Sequence, residues 1–236
     1  MCKFKSAIIL KDRVFVPDYD SHTDILEELR IADTRVNAER LFVRAELIPK
    51  NGDVFSDISE WTFRVDQDIV PDWFVAEYEK ERMIEAVKAW AKNRIFIGVN
   101  GLVLEGGNNF YVKDCKNISC ANSTVTAWDN STVTARGNST VTARGNSTVT
   151  AWDNSTVTAW DNSTVTARDN STVTARGNST VTARDNSTVI KDFWSYFDTD
   201  RLVLSENSTF KDCVTRTLYQ SGDFKLVTVT DGKIGG

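Results

Sequence analysis

A β-solenoid with non-repetitive ends is the fold class this sequence predicts, and three observations carry it. From Asn122 an octapeptide, Asn-Ser-Thr-Val-Thr-Ala followed by Trp or Arg and then Asp or Gly, recurs in eight consecutive units ending at Asp185. Within each unit Ser-Thr-Val-Thr-Ala alternates with period two, as a strand with one buried face does. Every junction is Asp-Asn or Gly-Asn, residues that tolerate the positive φ of a tight corner. The expected architecture is mainly β. A small α+β N-terminal capping domain (1–94) precedes irregular first coils (95–121), the octapeptide β-solenoid (122–189) and an irregular C-terminal cap (190–236).

One octad is too short to close a coil, so two octads (16 residues) or three (24 residues) must do so. The alternation turns Ser123, Val125 and Ala127 inward, a thin filling that suits two closely opposed strands and favours sixteen. At ~4.8 Å per coil, four to five coils make a rod about 20–24 Å long. A ninth unit begins at Asn186, and a degenerate tenth, Asn207-Ser208-Thr209-Phe210, follows an interruption. The same alternation turns two Thr per octad outward: Thr124, Thr126, Thr132, Thr134, Thr140, Thr142, Thr148, Thr150, Thr156, Thr158, Thr164, Thr166, Thr172, Thr174, Thr180 and Thr182.

Only the seventh and eighth positions of the octad vary. With sixteen residues per coil the seventh positions form two outward columns: Trp128, Arg144, Trp160, Arg176 and Arg136, Trp152, Arg168, Arg184. The first alternates ring and cation throughout, which sets up cation–π stacking and keeps its like charges two rungs apart. Both columns are candidates for a partner-binding stripe; the competing reading is that they only staple the coils.

The flanks have globular texture. Phe4–Leu10 and Arg13–Val16 predict strands around a Lys11-Asp12 turn, and Ser21 with Asp24 predicts the start of a short helix through Leu29. Phe42–Ile48 and Trp61–Val65 predict further strands. From Pro71-Asp72, the spacing of Phe74, Tyr78, Met83, Val87 and Trp90 predicts a long helix over the sheet, with Glu79 and Arg82 among its water-facing residues. Asn100-Gly101 and Gly106-Gly107 mark turns of the first coils, while Phe193, Trp194, Tyr196 and Phe197 are expected to close the far end.

With 236 residues, 41% hydrophobic, 26% charged and a formal charge of −5, the chain is neither collagenous, nor wholly disordered, nor a basic nucleic-acid binder. Five Asp against five Arg in 122–185 leave the rod neutral, a poor mimic of nucleic acid. No apolar run spans a bilayer, and the start lacks a secretory pattern, so a cytoplasmic location with no membrane partner is expected. The Asn-Ser-Thr sequons then serve as turns. One histidine, His22, and four cysteines without a CxxC pair (Cys2, Cys115, Cys120, Cys213) speak against zinc and a disulfide framework. The corners also lack the Gly-Gly-x-Gly-x-Asp of calcium-binding rolls. No metal, no cofactor and no catalytic residue is expected. The acid pairs Asp18/Asp20, Asp66/Asp68 and Asp198/Asp200 read as loop composition, with a site in the N-terminal domain as the enzymatic alternative.

Thr124-Val125-Thr126 and its successors, with Gly137-Asn138-Ser139-Thr140-Val141-Thr142-Ala143, resemble the central repeats of bacterial ice-nucleation proteins and, more loosely, insect Thr-x-Thr antifreeze solenoids. The likeness covers 122–190, about a third of the chain, and implies a water-ordering face. The layout, with Lys-Phe-Lys-Ser-Ala-Ile-Ile-Leu at the start, also resembles uncharacterised repeat proteins of gut bacteria and their prophages, which implies no activity. The favoured expectation is a non-enzymatic scaffold or binding module that presents Thr arrays and Arg/Trp columns to an unknown protein partner or to a second copy. Ice binding is the alternative.

Overall fold

A computed structural model describes residues 5–193, 196–221, 227–230 and 233–234; Cys2, Phe4 and Trp194 lie outside the described residues. The chain divides into two compact units, Met1–Ile95 and Phe96–Gly236.

In the first unit β1 (Lys5–Leu10), β2 (Val14–Phe15), β3 (Phe42–Ile48) and β4 (Thr62–Val65) form an antiparallel sheet of order β2-β1-β3-β4. Helix α1 (His22–Glu28) starts where the Ser21 hydroxyl accepts the amide of Asp24 at 3.3 Å. Its Ile25 and Leu26 pack on Ile8 and Phe42 of one sheet face. A four-residue helix α2 (Arg35–Ala38), capped by Thr34, precedes β3 and was too short to show a period.

Helix α3 (Ala76–Ala91) packs against β1 and β2. It begins at Ala76 and not at Pro71, because a turn from Pro71 to Phe74 and an indole bond from Trp73 to the Arg40 carbonyl (2.9 Å) hold the approach as a loop. Its buried stripe is Glu79, Met83, Val87 and Ala91, four-residue steps that leave Tyr78 61% exposed. Glu79 is therefore inside, contrary to its water-side expectation, and Arg82 neutralises it through both carboxylate oxygens (3.0 and 2.8 Å) while reaching the Leu10 carbonyl.

The second unit is a β-solenoid of about six turns with sixteen residues per coil. Two parallel sheets face one another across the core. In one, Val125, Val141, Val157, Val173 and Val189 lie in register; in the other, Val133, Val149, Val165 and Val181 do. These valines and the serines two places before them are all buried, as are the alanines two places on in every unit but the last, where Lys191 follows Val189. Each Ser sits at a corner; the hydroxyls of Ser131, Ser139, Ser147 and Ser187 close the turn on the carbonyl three residues back (2.7–2.8 Å), whereas those of Ser163, Ser171 and Ser179 are buried without a hydrogen-bond partner.

The eighth residue of every octad is left-handed, with φ from 55° to 63°, whether Asp or Gly. Its Asn neighbour is not, except at the first unit. There Phe110 pairs with Val125 and Ile118 with Val133, an offset one short of sixteen, and Asn122 takes the left-handed corner itself (φ 50°). At the far end Val181 pairs with Leu202 and Val189 with Phe210, so the last coil carries five extra residues. Phe197 and Phe210, each 3% exposed, fill its core; Phe193 and Tyr196, expected to help, are 62% and 73% exposed. Strand Thr209–Asp212 then pairs antiparallel with Thr217–Gln220, which ends the parallel array.

Replacing Val157 with Asp is expected to abolish the cooperative melt of the solenoid, because an unpartnered buried charge costs several kcal/mol in a core two strands thick. A melting temperature within a degree or two of the parent would show the valine column to be dispensable. Gly145, at φ 63°, would bring a Cβ to 3.0 Å from the Asp129 Cα; Gly145→Ala should therefore lower stability by about 1–2 kcal/mol in a urea titration.

Candidate binding faces

Strand alternation fixes what each face shows to solvent. On both sheets the third and fifth octad positions place Thr pairs outward, about 6.6 Å apart along the strand and ~4.8 Å apart between coils. Rungs Thr124/Thr126, Thr140/Thr142, Thr156/Thr158 and Thr172/Thr174 lie in register on one face. Thr132/Thr134, Thr148/Thr150, Thr164/Thr166 and Thr180/Thr182 do so on the other. None of these Thr is buried. The first array is bounded by Tyr111 and Ile190, the second by Ser119 and Val203.

The seventh positions continue each outward face. In the first column the Arg144 guanidinium lies 5.1 Å from the Trp128 ring centre and 5.4 Å from that of Trp160, and Arg176 lies 4.4 Å from Trp160. Arg176 is also ion-paired with Asp192, which ends the column. In the second column Trp152 is sandwiched between Arg136 (5.9 Å) and Arg168 (4.7 Å). Arg184 follows Arg168 by one coil and, among the described residues, has no ring neighbour. Rings and cations are half-buried, apart from the exposed Arg136 and Arg184.

The corner acids have a task that spacing alone did not show. Along one corner the carboxylate of each coil accepts the left-handed amide of the coil before: Gly137 to Asp153 (2.9 Å), Asp153 to Asp169 (3.2 Å), Asp169 to Asp185 (3.2 Å) and Asp185 to Glu206 (3.0 Å). On the opposite corner Asp161 accepts from Gly145 (3.1 Å). The only sequence signal was that Asp recurs at i and i+16 along the first of these corners.

Asp18, Asp20 and Asp198 of the loop acid pairs are each engaged by their own local partners. Asp18 is held by Arg94 and by the Trp90 indole (3.1 Å); burial would raise its carboxyl, but Arg94 outweighs that and keeps it below the usual range. Asp20 binds Lys5 (2.7 Å) and the Ser6 amide (3.1 Å). Burial lowers the Lys5 ammonium despite Asp20. Asp198 caps the turn at Asp200 (3.1 Å). Cys115 and Cys120 are buried thiols of the first coils outside any disulfide, and burial pushes Cys120 up to about 11, which favours the protonated thiol at neutral pH. Among the described residues no helix is long and apolar enough to cross a membrane.

Fold and surface together define a two-faced, parallel β-solenoid with in-register Thr rungs and an Arg/Trp column on each face. Compared with protein-family models, curated proteins and solved structures, the chain matches none.

Arg144→Gln removes two ring contacts and should cost about 1–2 kcal/mol in a urea melt. Arg184→Gln, with no ring to lose and Arg168 beside it, should stay within about 0.5 kcal/mol of the parent. Equal losses in the two variants would mean that ring contact contributes nothing to the columns.

Proposed function

We propose that the protein is a non-enzymatic solenoid scaffold whose two faces present Thr arrays edged by Arg/Trp columns to a protein partner or to a second copy of itself. The observation that carries this reading is the pair of columns. Trp and Arg are the side chains that interfaces enrich, since they offer large contact area and directional donors at low ordering cost. Here they are ordered in advance by stacking on one another, so binding would lose little side-chain freedom. The rod itself supplies rigidity, because each coil is fixed by its neighbours.

The in-register Thr rungs favour a second reading, ice or ordered water as the ligand. Against it, each array of paired Thr ends after four rungs, with only the Thr188 and Thr209 column continuing on one face, and the third column replaces a flat hydroxyl surface with bulky rings and cations.

Thermal hysteresis of the purified protein separates the two: the scaffold reading expects none, and a concentration-dependent freezing gap would overturn it. For the scaffold, the double variant Arg144→Glu/Arg176→Glu should keep the parent's circular dichroism and lose self-association in sedimentation, or the partner recovered in pull-down. Binding that survives this change transfers the role from the columns to the Thr rungs.

A further inference from the structure

The first unit brings together the chain's one histidine and two carboxylates from three different elements. His22 opens α1, Glu46 lies in β3 and Asp66 follows β4; one ligand atom of each lies within 4.8 Å of the other two. We propose that His22, Glu46 and Asp66 form a binding site for a divalent transition-metal cation of the zinc type.

Orientation of the imidazole is the first support. His22 Nε2 is 3.1 Å from the Ala45 carbonyl oxygen. A carbonyl only accepts, so Nε2 carries the proton, and Nδ1 on the other side of the ring is the nitrogen placed to coordinate. Metal-bound histidines are held in this manner, the second nitrogen donating to a backbone carbonyl or carboxylate. Nδ1 faces Asp66 Oδ2 at 3.5 Å. In a tetrahedral shell with bonds of about 2.0–2.2 Å, adjacent ligand atoms are about 3.3–3.6 Å apart, so these two already span one edge of such a shell.

Charge is the second support. Two carboxylates drawn this close repel each other unless a cation joins them. Arg64 approaches the other oxygen of Asp66 (3.5 Å), and Arg44 is paired with Asp33. The nitrogen donor and the small ligand set favour zinc over calcium, which takes six to eight oxygens. Access is provided by an open polar groove of about 520 Å³ whose walls include His22, Asp66, Asp20, Asp33 and Arg44. His22 and Glu46 are buried, while the Asp66 side chain is 40% exposed. Water or a ligand group from the groove would complete the shell.

The count of one histidine argued against zinc from sequence. The fold answers by supplying carboxylates 24 and 44 residues downstream of His22. This inference concerns the first unit and stands or falls separately from the role of the solenoid faces.

The test is calorimetric titration of the untagged, chelator-stripped full-length protein with zinc chloride, with cobalt(II) absorption as a second readout. One equivalent should bind, with the intense visible bands of tetrahedral cobalt. Asp66→Asn and His22→Gln should each weaken binding by about tenfold or more, while Asp68→Asn, on the same loop outside the cluster, should leave it unchanged. Because His22 is buried, its variant may be read only if its circular dichroism matches the parent; Asp66→Asn, at an exposed side chain, decides the matter without it. A titration with no saturable one-to-one step, or zinc affinity unchanged in Asp66→Asn, overturns the site and leaves the cluster as contacts that hold α1 to the sheet.

Discussion

A chain that reverses direction after every eighth residue must place one residue per octad in the left-handed region, and the rest of the solenoid follows from that corner. Only Gly enters this region freely, and Asp enters it at modest cost because its short side chain can hydrogen-bond locally. The eighth position is accordingly Gly or Asp in all eight octads, with φ between 55° and 63°. The corner also turns an amide out of the strand ladder. Where the next coil offers Asp, its carboxylate takes that amide, so an acid that looks like solvated composition joins one coil to the next. In some coils the serine two places later closes the same turn from inside, as Ser139 does, and in all of them its small size lets the two sheets approach closely enough for a single Val and a single Ala per strand to fill the space.

Repetition needs beginnings and ends that are not repeats. Each coil is stabilised by its neighbours, so the first and last coils must bury a face that no further coil covers. At the start, Phe110, Ile118 and Cys120 replace the small residues of the regular core, and one deleted residue shifts Asn122 into the corner. At the end, a five-residue insertion admits Phe197 beside Phe210, whose ring stacks on Tyr219 at 5.8 Å. Antiparallel pairing then changes the direction of the edge strand, which removes the template that another parallel coil would need.

How much of this was legible depends on the range of the interaction. The inward Val column, the sixteen-residue offset and the membership of both Arg/Trp columns follow from period and spacing, which a repeat displays many times over. The corner bonds were not legible, since Asp at a turn has the same composition whether it caps an amide or faces water. In the first unit the phase of α3 depended on one acid: Glu79 belongs to the stripe of Met83, Val87 and Ala91 only because Arg82 folds over it. Phe193 and Phe197 likewise differ only in which side of an irregular segment each occupies, a choice made by Phe210 packing against Phe197. The meeting of His22 with Glu46 and Asp66 depends on strand order and register, which no local pattern encodes.

In-register stacking has one electrostatic penalty, and the variable positions show how it is managed. Identical residues at i and i+16 stand one rung apart, so an all-Arg column would set like charges ~5 Å from one another, at a cost of roughly 1 kcal/mol per pair even in water. Placing Trp between successive Arg doubles the separation and exchanges each repulsion for attraction to a ring face. The first column does this throughout: Trp128, Arg144, Trp160, Arg176, then Asp192 as counter-charge. The second does it only around Trp152, leaving Arg168 and Arg184 adjacent. Since the two columns share one fold and one octad, the departure of the second is not required by the architecture. Its exposed Arg184, next to Arg168 and with no ring contact among the described residues, therefore marks the place where this rod carries positive charge that the column itself does not offset.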